Sequence, residues 1–400
     1  MKFSLNHYLL GVSLALDCVE SELLGVTTNH GKRVAYVSMR MAQAMGLSQP
    51  EVFDIVAFAL LHDNGLAEER LSHGWTGRDR LMEVEDLPAH CDIGEGNVGR
   101  FPFQSDHREI IRYHHERWDG GGFFGLTGDR IPIMAQIIGM VDYTDLKICF
   151  GQPNPENRAD ILAFLRERRG HNFSADLIEV FAQVSSFPAF WLDLRDVHLV
   201  AGLNRNMPNL SLEMSWERVL EVSGVFSRII DAKSRFTHAH TSGLVEKTAF
   251  MADYYGVEPE LKIRLRIAAS LHDVGKLAIP NAILDKPGRL DAEERRKIEE
   301  HTYYTRICLE SIPGFEEITE WAANHHEKLT GKGYPLGLGP ERLDRWCRLL
   351  TVLDIYQALT EERPYRKSLS HARTMEIIWP QVHAGALDPQ AVGDVERAFS

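Results

Sequence analysis

The stretch LHDVGKLAIPNAILDKPGRL, residues 271–290, decides the fold of this chain, because it sets a histidine beside an aspartate, His272-Asp273. A second pair, His62-Asp63, stands 210 residues earlier in LLHDNGL, residues 60–66. One His-Asp dipeptide carries little information, since a single histidine is usually a surface residue or a satisfied core residue. A motif that returns at a fixed distance is instead typical of an internal repeat.

Around both pairs, further histidines and aspartates recur in the same order, with a spacing that drifts only from 210 to 212 residues. The first set is His30, His62, Asp63, His90, His114, His115 and Asp142. The second set is His240, His272, Asp273, His301, His325, His326 and Asp354. Seven matched positions in one order exceed what chance produces, so the sequence predicts a tandem duplication.

The duplication predicts two domains, residues 1–200 and 212–400, joined by a linker at 201–211. The stretch AGLNRNMPNLSL (201–212) is rich in Asn and contains Gly and Pro, which is typical of a loop. Apolar residues follow helical spacing in several segments of the second unit, which are Leu261–Leu271, Ala292–Cys308 and Trp346–Thr360. Strand-like alternation is scarce, so we expect an all-α protein of two tandem helical bundle domains.

An apolar run near the N-terminus, Leu9–Leu16, has some likeness to the core of a signal peptide. No small-residue cleavage site follows it, and it has a counterpart in Val219–Phe226, at the start of the second unit. We therefore expect an amphipathic first helix. No segment approaches the ~20 apolar residues that span a bilayer, so we expect no membrane segment.

The composition of the 400-residue chain, with 44% hydrophobic and 25% charged residues, is that of an ordinary soluble protein. The formal net charge of −13 gives no long-range attraction to duplex nucleic acid or anionic lipid. The five cysteines form no CxxC motif, which argues against a disulfide framework or a zinc finger. We expect a reducing compartment and a cytoplasmic location.

The second set of residues offers five imidazoles and two carboxylates, a ligand set that suits iron, manganese or zinc. Seven ligands are too many for one tetrahedral ion, but they suit two octahedral ions that share a carboxylate such as Asp273. Two ions ~3.5–4 Å apart can clamp a phosphodiester while a water shared between them loses a proton and attacks phosphorus. No nucleophile motif such as GxSxG is evident.

The second unit resembles the HD-GYP subgroup of the HD phosphohydrolases over nearly its full length. The resemblance rests on five matching stretches: FTHAH (236–240), LHDVGKLAIPNAILDKPGRL (271–290), His301, HHEKLTGKGYP (325–335) and LDIYQALTEERPYRKS (353–368). It implies an HD-type helical bundle and a phosphodiesterase that opens a cyclic dinucleotide, cyclic di-GMP or 3'3'-cyclic GMP-AMP. The product would be the linear dinucleotide, with further hydrolysis to mononucleotides left open.

The resemblance also implies roles for individual residues. One ion would be held by His240, His272, Asp273 and Asp354. The other would be held by Asp273, His301, His325 and His326. The catalytic residues would be Asp273, as shared ligand, and Lys276, which would contact the scissile phosphate. The substrate would be bound by Lys276, Arg363, Arg366 and the Tyr334 of a loop at Gly333–Pro335, for which the plain alternative is a turn.

Two departures from the family bear on the metals. Some members carry a glutamate four residues before the first histidine, which allows a third ion, whereas this chain has Phe236. We therefore expect two divalent transition-metal ions, iron first, with manganese or another divalent metal as alternatives. Thr330 stands where the family often has aspartate, which we regard as tolerable.

The first unit keeps all seven ligand positions and the stretch HHERWDGGG (114–122), but it loses the residues expected to contact substrate. Leu66 replaces the lysine of HDxGK, and Phe123-Phe124 replace Tyr-Pro. No counterpart of RPYR or of IPxxILxKPG follows. We therefore expect a degenerate regulatory or structural domain that retains a second metal site.

Two other functions stay open at this point. One is a different HD phosphohydrolase, acting on a nucleotide or an alarmone, against which GYP and RPYR speak. The other is a metal-loaded module that senses a cyclic dinucleotide or docks signalling proteins; we favour it for the first unit only. The sequence does not choose between cyclic di-GMP and cyclic GMP-AMP, and it does not identify the metal, the input signal or the oligomeric state.

Overall fold

The computed structural model describes residues 2–25, 27–72, 88–151, 155–234, 240–362 and 367–400. The predicted all-α fold is confirmed, since helices make up nearly all regular structure in these ranges. The exceptions are two short strands, Lys2–Phe3 and Leu212–Glu213, which pair with each other. None of the described helices combines the length and apolar character that crossing a membrane requires.

Backbone contacts divide the chain into two compact units. One comprises Lys2–Arg70 and Arg80–Leu212, and the other contains Glu213–Ser400. Each unit holds one of the two sets of histidines and aspartates.

The N-terminal unit contains ten helices in its described part. They are α1 Leu5–Leu24, α2 His30–Ala44, α3 Gln49–Leu61, α4 Leu66–Ser72, α5 Ala89–Val98, α6 Ile133–Ile148, α7 Pro155–Glu167, α8 Ala175–Ser185, α9 Pro188–Asp193 and α10 Asp196–Asn206. The apolar run Leu9–Leu16 lies inside α1, as predicted. Helix α3 is the centre of this bundle, because α1 and α2 pack on it and every side chain from Val52 to Leu61 is buried.

The C-terminal unit repeats this order. Its described helices are α11 Trp216–Lys233, α12 His240–Tyr254, α13 Pro259–Leu271, α14 Asn281–Leu284, α15 Ala292–Leu309, α16 Glu316–Ala323, α17 Arg345–Thr360, α18 His371–His383 and α19 Pro389–Ala398. The three helices predicted from apolar spacing are confirmed as α13, α15 and α17. Helix α13 is central here, as α11, α12 and α16 pack on it.

Local sequence signals start the helices that carry the clustered residues. Ser48 caps α3 through a reciprocal capping box with Glu51, and Asp291 does the same for α15 with Glu294. Such a box satisfies backbone N–H groups that the first helical turn leaves without partners. The ends of these helices are thereby fixed, and so are the positions of the histidines on them.

The predicted linker at 201–211 differs from the structure, because α10 continues through its first six residues to Asn206. The glycine and asparagine that suggested a loop serve the helix instead. A Cβ on Gly202 would lie 2.9 Å from the Cβ of Asp193, so glycine permits close packing on α9. Asn206 donates to the Gly202 carbonyl over 2.7 Å, and the helix stops only before Pro208.

Candidate metal centres

The seven predicted residues of the C-terminal unit converge from five helices. His240 begins α12, His272 follows the last residue of α13, and Asp273 comes next. The remaining members lie in α15, after α16 and in α17; they are His301, His325, His326 and Asp354. All are buried except His326, which is half-buried.

The side chains form two groups, and within each group the ligand atoms lie within 4.8 Å of one another. One group is His240, His272 and Asp273, and the other is His301, His325 and His326. Asp273 lies between the groups. Its Oδ2 is 3.1 Å from Nε2 of His272, and its Oδ1 is 3.3 Å from Nε2 of His301. Asp354 closes the first group, with its Oδ1 2.9 Å from Nε2 of His240. One oxygen of Asp273 therefore faces each group.

The orientation of the imidazoles follows from their outer nitrogens. Nδ1 of His272 faces the Ala269 carbonyl at 2.8 Å, and Nδ1 of His301 faces the Ile298 carbonyl at 2.7 Å. A carbonyl only accepts, so each Nδ1 carries a proton, which in the neutral ring leaves the lone pair on Nε2. Backbone contacts of this kind are how proteins orient metal-binding histidines.

His325 follows the same rule, with Nδ1 2.6 Å from the Ala322 carbonyl. Its Nε2 lies 3.4 Å from Nε2 of His301, so two ring nitrogens come close together. A cation bound by both nitrogens would suit this arrangement when both rings are neutral. His240 is held differently, since its Nδ1 lies 3.0 Å from Oε2 of Glu361.

The electrostatics keep the carboxylates charged and several imidazoles neutral. Burial alone would raise the pKa of Asp273, but His272 and Lys276 outweigh it and hold this pKa well below its usual range. Burial lowers the pKa of His301 to about 4 and that of His326 to about 3. Ionised carboxylate and neutral imidazole are the forms that bind metals.

Lys276 makes an ion pair with Oδ2 of Asp273, and its side chain is 20% exposed. Its side chain is therefore partly open to solvent at the edge of the cluster, while its ammonium contacts the buried carboxylate. Gly275, just before it, passes against α15, where a Cβ would lie 1.9 Å from the His301 carbonyl oxygen. The first unit has the same contact, since a Cβ on Gly65 would lie 2.3 Å from the His90 carbonyl oxygen. Only glycine allows this approach, which brings the aspartate beside the histidine of the next helix.

The seven predicted residues of the N-terminal unit also converge. His30 lies 3.0 Å from Oδ1 of Asp142, and Asp63 again stands between histidines. Oδ2 of Asp63 is 3.6 Å from His62 Nε2, and its Oδ1 is 3.3 Å from His90 Nε2. The two remaining residues are close as well. Nε2 of His114 lies 3.6 Å from Oδ1 of Asp63, and Nε2 of His115 lies 3.2 Å from Nε2 of His90.

The residue three positions after the aspartate is what differs between the clusters. Leu66, in place of Lys276, is 1% exposed and begins α4. The N-terminal cluster therefore has no ammonium paired with its central carboxylate among the described residues.

The loop of the HHE motif lies beside the C-terminal cluster. The Tyr334 ring centroid is 4.9 Å from that of His326. The loop is held by Glu327, whose buried carboxylate accepts the backbone N–H groups of Leu336, Gly337 and Leu338 over 2.7, 3.0 and 2.9 Å. In the first unit Glu116 accepts two such groups. Arg363, Arg366 and Phe236 lie outside the described residues.

The donor set fits divalent cations on two observations. Several buried atoms of these residues have no hydrogen-bond partner in the part of the chain that the structure describes, and they are His62 Nε2, Asp63 Oδ1, His114 Nε2, His272 Nε2 and Asp273 Oδ1. Such orphaned polar atoms are costly unless something binds them. They also combine imidazole nitrogens with carboxylate oxygens, a ligand set that suits first-row transition metals.

Comparison with known proteins agrees with the duplication. The model of the HD domain family matches residues 19–173 and again residues 224–391. The chain belongs to the HD domain family. Both units are thus HD domains, which confirms the membership predicted from the motifs, and their clustered imidazoles and carboxylates imply divalent metal binding.

Two curated relatives and one solved structure match both HD domains. The 3'3'-cGAMP-specific phosphodiesterase 1 of Vibrio cholerae is 31% identical over 96% of this chain and 90% of its own length. Phosphodiesterase 3 of the same specificity and organism is 27% identical over 100% of this chain and 95% of its length. The crystal structure of a cyclic GMP-AMP-specific phosphodiesterase of Vibrio cholerae covers 100% of this chain and 98% of that one. Its TM-score is 0.71 at 24% identity, which is a likeness of fold.

Several residues of the HD domain clusters escaped the sequence analysis. Glu361 and Asp145 hold the outer nitrogens of His240 and His30. Cys91 lies with the N-terminal histidines, its Sγ 3.6 Å from His90 Nε2. Glu20, on α1, is 3% exposed and its Oε2 has no hydrogen-bond partner. Burial raises the pKa of Glu20 to about 7, although nearby His62 and His30 oppose the rise. None of the four shares the spacing of the repeat.

Proposed function

We propose that the chain is a metal-dependent phosphodiesterase that hydrolyses a cyclic dinucleotide in its C-terminal HD domain. One observation carries the proposal. The Asp273 carboxylate lies between two groups of histidines and also forms an ion pair with Lys276, whose side chain is partly exposed. The first part of that arrangement suits metal binding, and the second supplies a cation for a phosphate. The N-terminal cluster has the first part without the second.

We assign the metal ligands as the sequence suggested. His240, His272, Asp273 and Asp354 would hold one ion, and Asp273, His301, His325 and His326 the other. When bound, two divalent ions supply an activated water as nucleophile and offset the charge of the phosphodiester. We propose iron as the native metal, with manganese or another divalent transition metal as alternatives.

The protein's own contribution is positioning and charge. Backbone carbonyls fix the tautomers of His272, His301 and His325, so their Nε2 atoms already face the cluster before substrate arrives. Lys276 offers a fixed positive charge where a phosphoryl oxygen gains negative charge in the transition state. A pre-oriented site pays no reorganisation at the moment of reaction.

Substrate recognition would involve the loop beside His326. We propose that Tyr334 contacts a base or the ribose-phosphate backbone, because its ring lies 4.9 Å from the His326 ring, at the edge of the cluster. Arg363 and Arg366 are proposed to reach a guanine or a phosphate. These cations would offset the net charge of −13, which otherwise repels an anionic substrate.

We propose 3'3'-cyclic GMP-AMP rather than cyclic di-GMP as the substrate, because the two relatives that match nearly the whole chain are named for that specificity. The product would be the linear dinucleotide, and further cleavage to mononucleotides would need a second cycle. Other HD phosphohydrolase substrates would require the same metal centre but not the GYP loop.

The test is steady-state hydrolysis by the full chain loaded with iron or with manganese, with 3'3'-cyclic GMP-AMP and cyclic di-GMP as parallel substrates. We expect turnover that chelation removes and that added metal restores, with a larger kcat/KM for cyclic GMP-AMP. Metal analysis should give two ions for the C-terminal site. A chain with both metals bound and no hydrolysis of either dinucleotide would refute the proposal, and a preference for cyclic di-GMP would refute only the substrate assignment.

For the N-terminal HD domain we propose a regulatory or structural role with retained metal binding. Support comes from the intact set of seven ligands combined with buried Leu66 in the place of Lys276. Leucine offers no charge to a phosphate, so this domain lacks what the proposed chemistry needs.

A further inference from the structure

A cavity of about 940 Å³ opens beside the histidine cluster of the N-terminal HD domain. The cavity is lined by His114, His115 and Asp142, by the loop that follows the HHE motif (residues 116–123), and by residues of helices α6 and α7. Its volume lies near the upper end of the range for small-molecule sites, which suits a ligand of dinucleotide size. The domain that lacks the phosphate lysine therefore still has a large cavity at its ligand set.

Three cations line this cavity: Arg117, Lys147 and Arg168. Lys147 is exposed and has no ion pair within the part of the chain that the structure describes. Arg117 pairs with exposed Asp119 at 2.9 Å and keeps 42% of its side chain exposed. Arg168 donates to the Phe164 carbonyl over 3.0 Å and has 27% of its side chain exposed.

Two of the three acidic residues that line the cavity are engaged elsewhere. Glu116 accepts the backbone N–H groups of the loop, and Asp142 belongs to the histidine cluster. The third, Glu167, is 76% exposed and pairs with Arg168 at 3.6 Å. An anionic ligand would therefore meet Lys147 without an ion pair among the described residues, and it would compete with exposed carboxylates for Arg117 and Arg168.

Aromatic rings stand beside these cations. Tyr143 packs edge-on against Phe173 at 5.9 Å, and both line the cavity. The Nζ of Lys147 lies 5.5 Å from the Tyr143 ring centroid, and the guanidinium of Arg168 lies 6.0 Å from it. Rings next to cations are how proteins hold the bases and the phosphates of nucleotides together.

These residues are not remnants of the C-terminal pattern. In the register that equates Asp142 with Asp354, Tyr143 corresponds to Ile355 and Lys147 to Leu359. Both members of the ring-and-cation pair on α6 therefore occur only in the N-terminal unit.

We propose that the cavity of the N-terminal HD domain binds a phosphorylated nucleotide of dinucleotide size without hydrolysing it. Phosphate would lie near Lys147 and Arg168, and a base would lie against Tyr143. Leu66 leaves no cation paired with the central carboxylate of Asp63, so we expect binding without turnover. This inference goes beyond the function proposed above, because it assigns a ligand to the other domain.

The experiment is isothermal titration of the full chain carrying Asp273→Ala, which stops hydrolysis, with 3'3'-cyclic GMP-AMP and with its linear dinucleotide as separate probes. We expect a binding event that Lys147→Glu or Arg168→Ala weakens by about tenfold or more, the loss of one charged contact. The matched control is Arg166→Glu, an exposed cation of α7 that does not line the cavity. The two probes decide whether substrate or product is preferred.

Two results would overturn the inference. One is unchanged affinity for both probes in both cavity variants, with thermal melts that match the parent protein. The other is complete competition by inorganic phosphate at the concentration of the probe, which would mean that no base is recognised. Neither result depends on whether the wild-type chain hydrolyses a dinucleotide, so this test and that of the proposed function fail separately.

Discussion

The two histidine clusters place the same seven ligand types in nearly the same geometry, yet only one has a lysine against its central carboxylate. Asp273 lies 3.3 Å from His301, and Asp63 lies 3.3 Å from His90. Lys276 pairs with Asp273, whereas Leu66 is buried at the matching position. On the roles proposed above, holding metal and handling substrate charge are separable tasks in this fold.

The largest difference between the two clusters should appear when the aspartate between the histidine groups is removed. Asp273→Ala deletes the carboxylate between both histidine groups, so we expect cyclic dinucleotide hydrolysis to fall below detection. Asp63→Ala, the matched variant, should retain most of the activity. Both are measured at equal concentrations of folded protein, with metal content determined in parallel. Total loss of activity in a well-folded Asp63→Ala protein would place the active site across a larger part of the chain.

Lys276→Leu gives the C-terminal cluster the residue of the N-terminal one. Because the lost ammonium would stabilise charge that develops in the transition state, we expect kcat to fall by about 10²–10³-fold while metal content stays the same. Lys262→Leu, on the surface of the same unit, is the control and should leave kcat unchanged. An unaltered kcat in Lys276→Leu would assign the lysine a structural role.

Glu361→Gln tests the outer contact of His240. The carboxylate lies 3.0 Å from Nδ1 and orients this imidazole. Glutamine can still accept the hydrogen bond but lacks the charge, and changing such a partner typically weakens metal binding by about 10–100-fold. The matched variant Asp145→Asn should weaken metal binding in the N-terminal domain alone and spare hydrolysis. Competition with a chelator measures both affinities. Equal metal retention in Glu361→Gln and wild type would remove Glu361 from the metal centre.

Ser48→Ala should have the smallest effect. It removes the capping box of α3, a loss of about 1 kcal/mol of stability. Chemical denaturation should report this change, while hydrolysis at saturating metal stays within about twofold. Asp291→Ala is the counterpart in the unit that carries catalysis. A large loss of hydrolysis in Ser48→Ala would mean that catalysis depends on the N-terminal domain far more than the ligand sets suggest.

The sequence predicted the fold and the clustering of the seven residues in each unit, because both follow from spacing. His30, His90, His240 and His301 lie in helices, and the other histidines of the two sets lie in turns, at matching positions in each unit. Residues 210 to 212 apart therefore reach equivalent places in two copies of one bundle. Helical apolar periodicity then located α13, α15 and α17 to within a few residues. Within the site that these helices build, the sequence could predict the seven clustered residues.

The outer contacts could not be predicted, since the two units make the same bond from different positions. Asp145 lies in α6, but the residue at its register in α17 is Gln357, and Glu361 reaches His240 from one turn further on. A longer side chain compensates for a different backbone position, which spacing does not reveal. Glu20 was missed because burial on α1 depends on how that helix is rotated in the bundle.

A glutamate that binds the loop after each HHE motif explains how the two copies differ in sequence there while the loop keeps its path. Glu327 binds the peptide N–H groups of Leu336, Gly337 and Leu338, and Glu116 binds those of Phe124 and Leu126 in the same way. Every amino acid except proline has this group. The loop is thus held mainly through its main chain, so most of its side chains can change while its path persists. The exceptions are Gly122 and Gly333, because a Cβ there would lie 2.5 Å from Glu116 Oε1 and 2.4 Å from the Cα of Glu327.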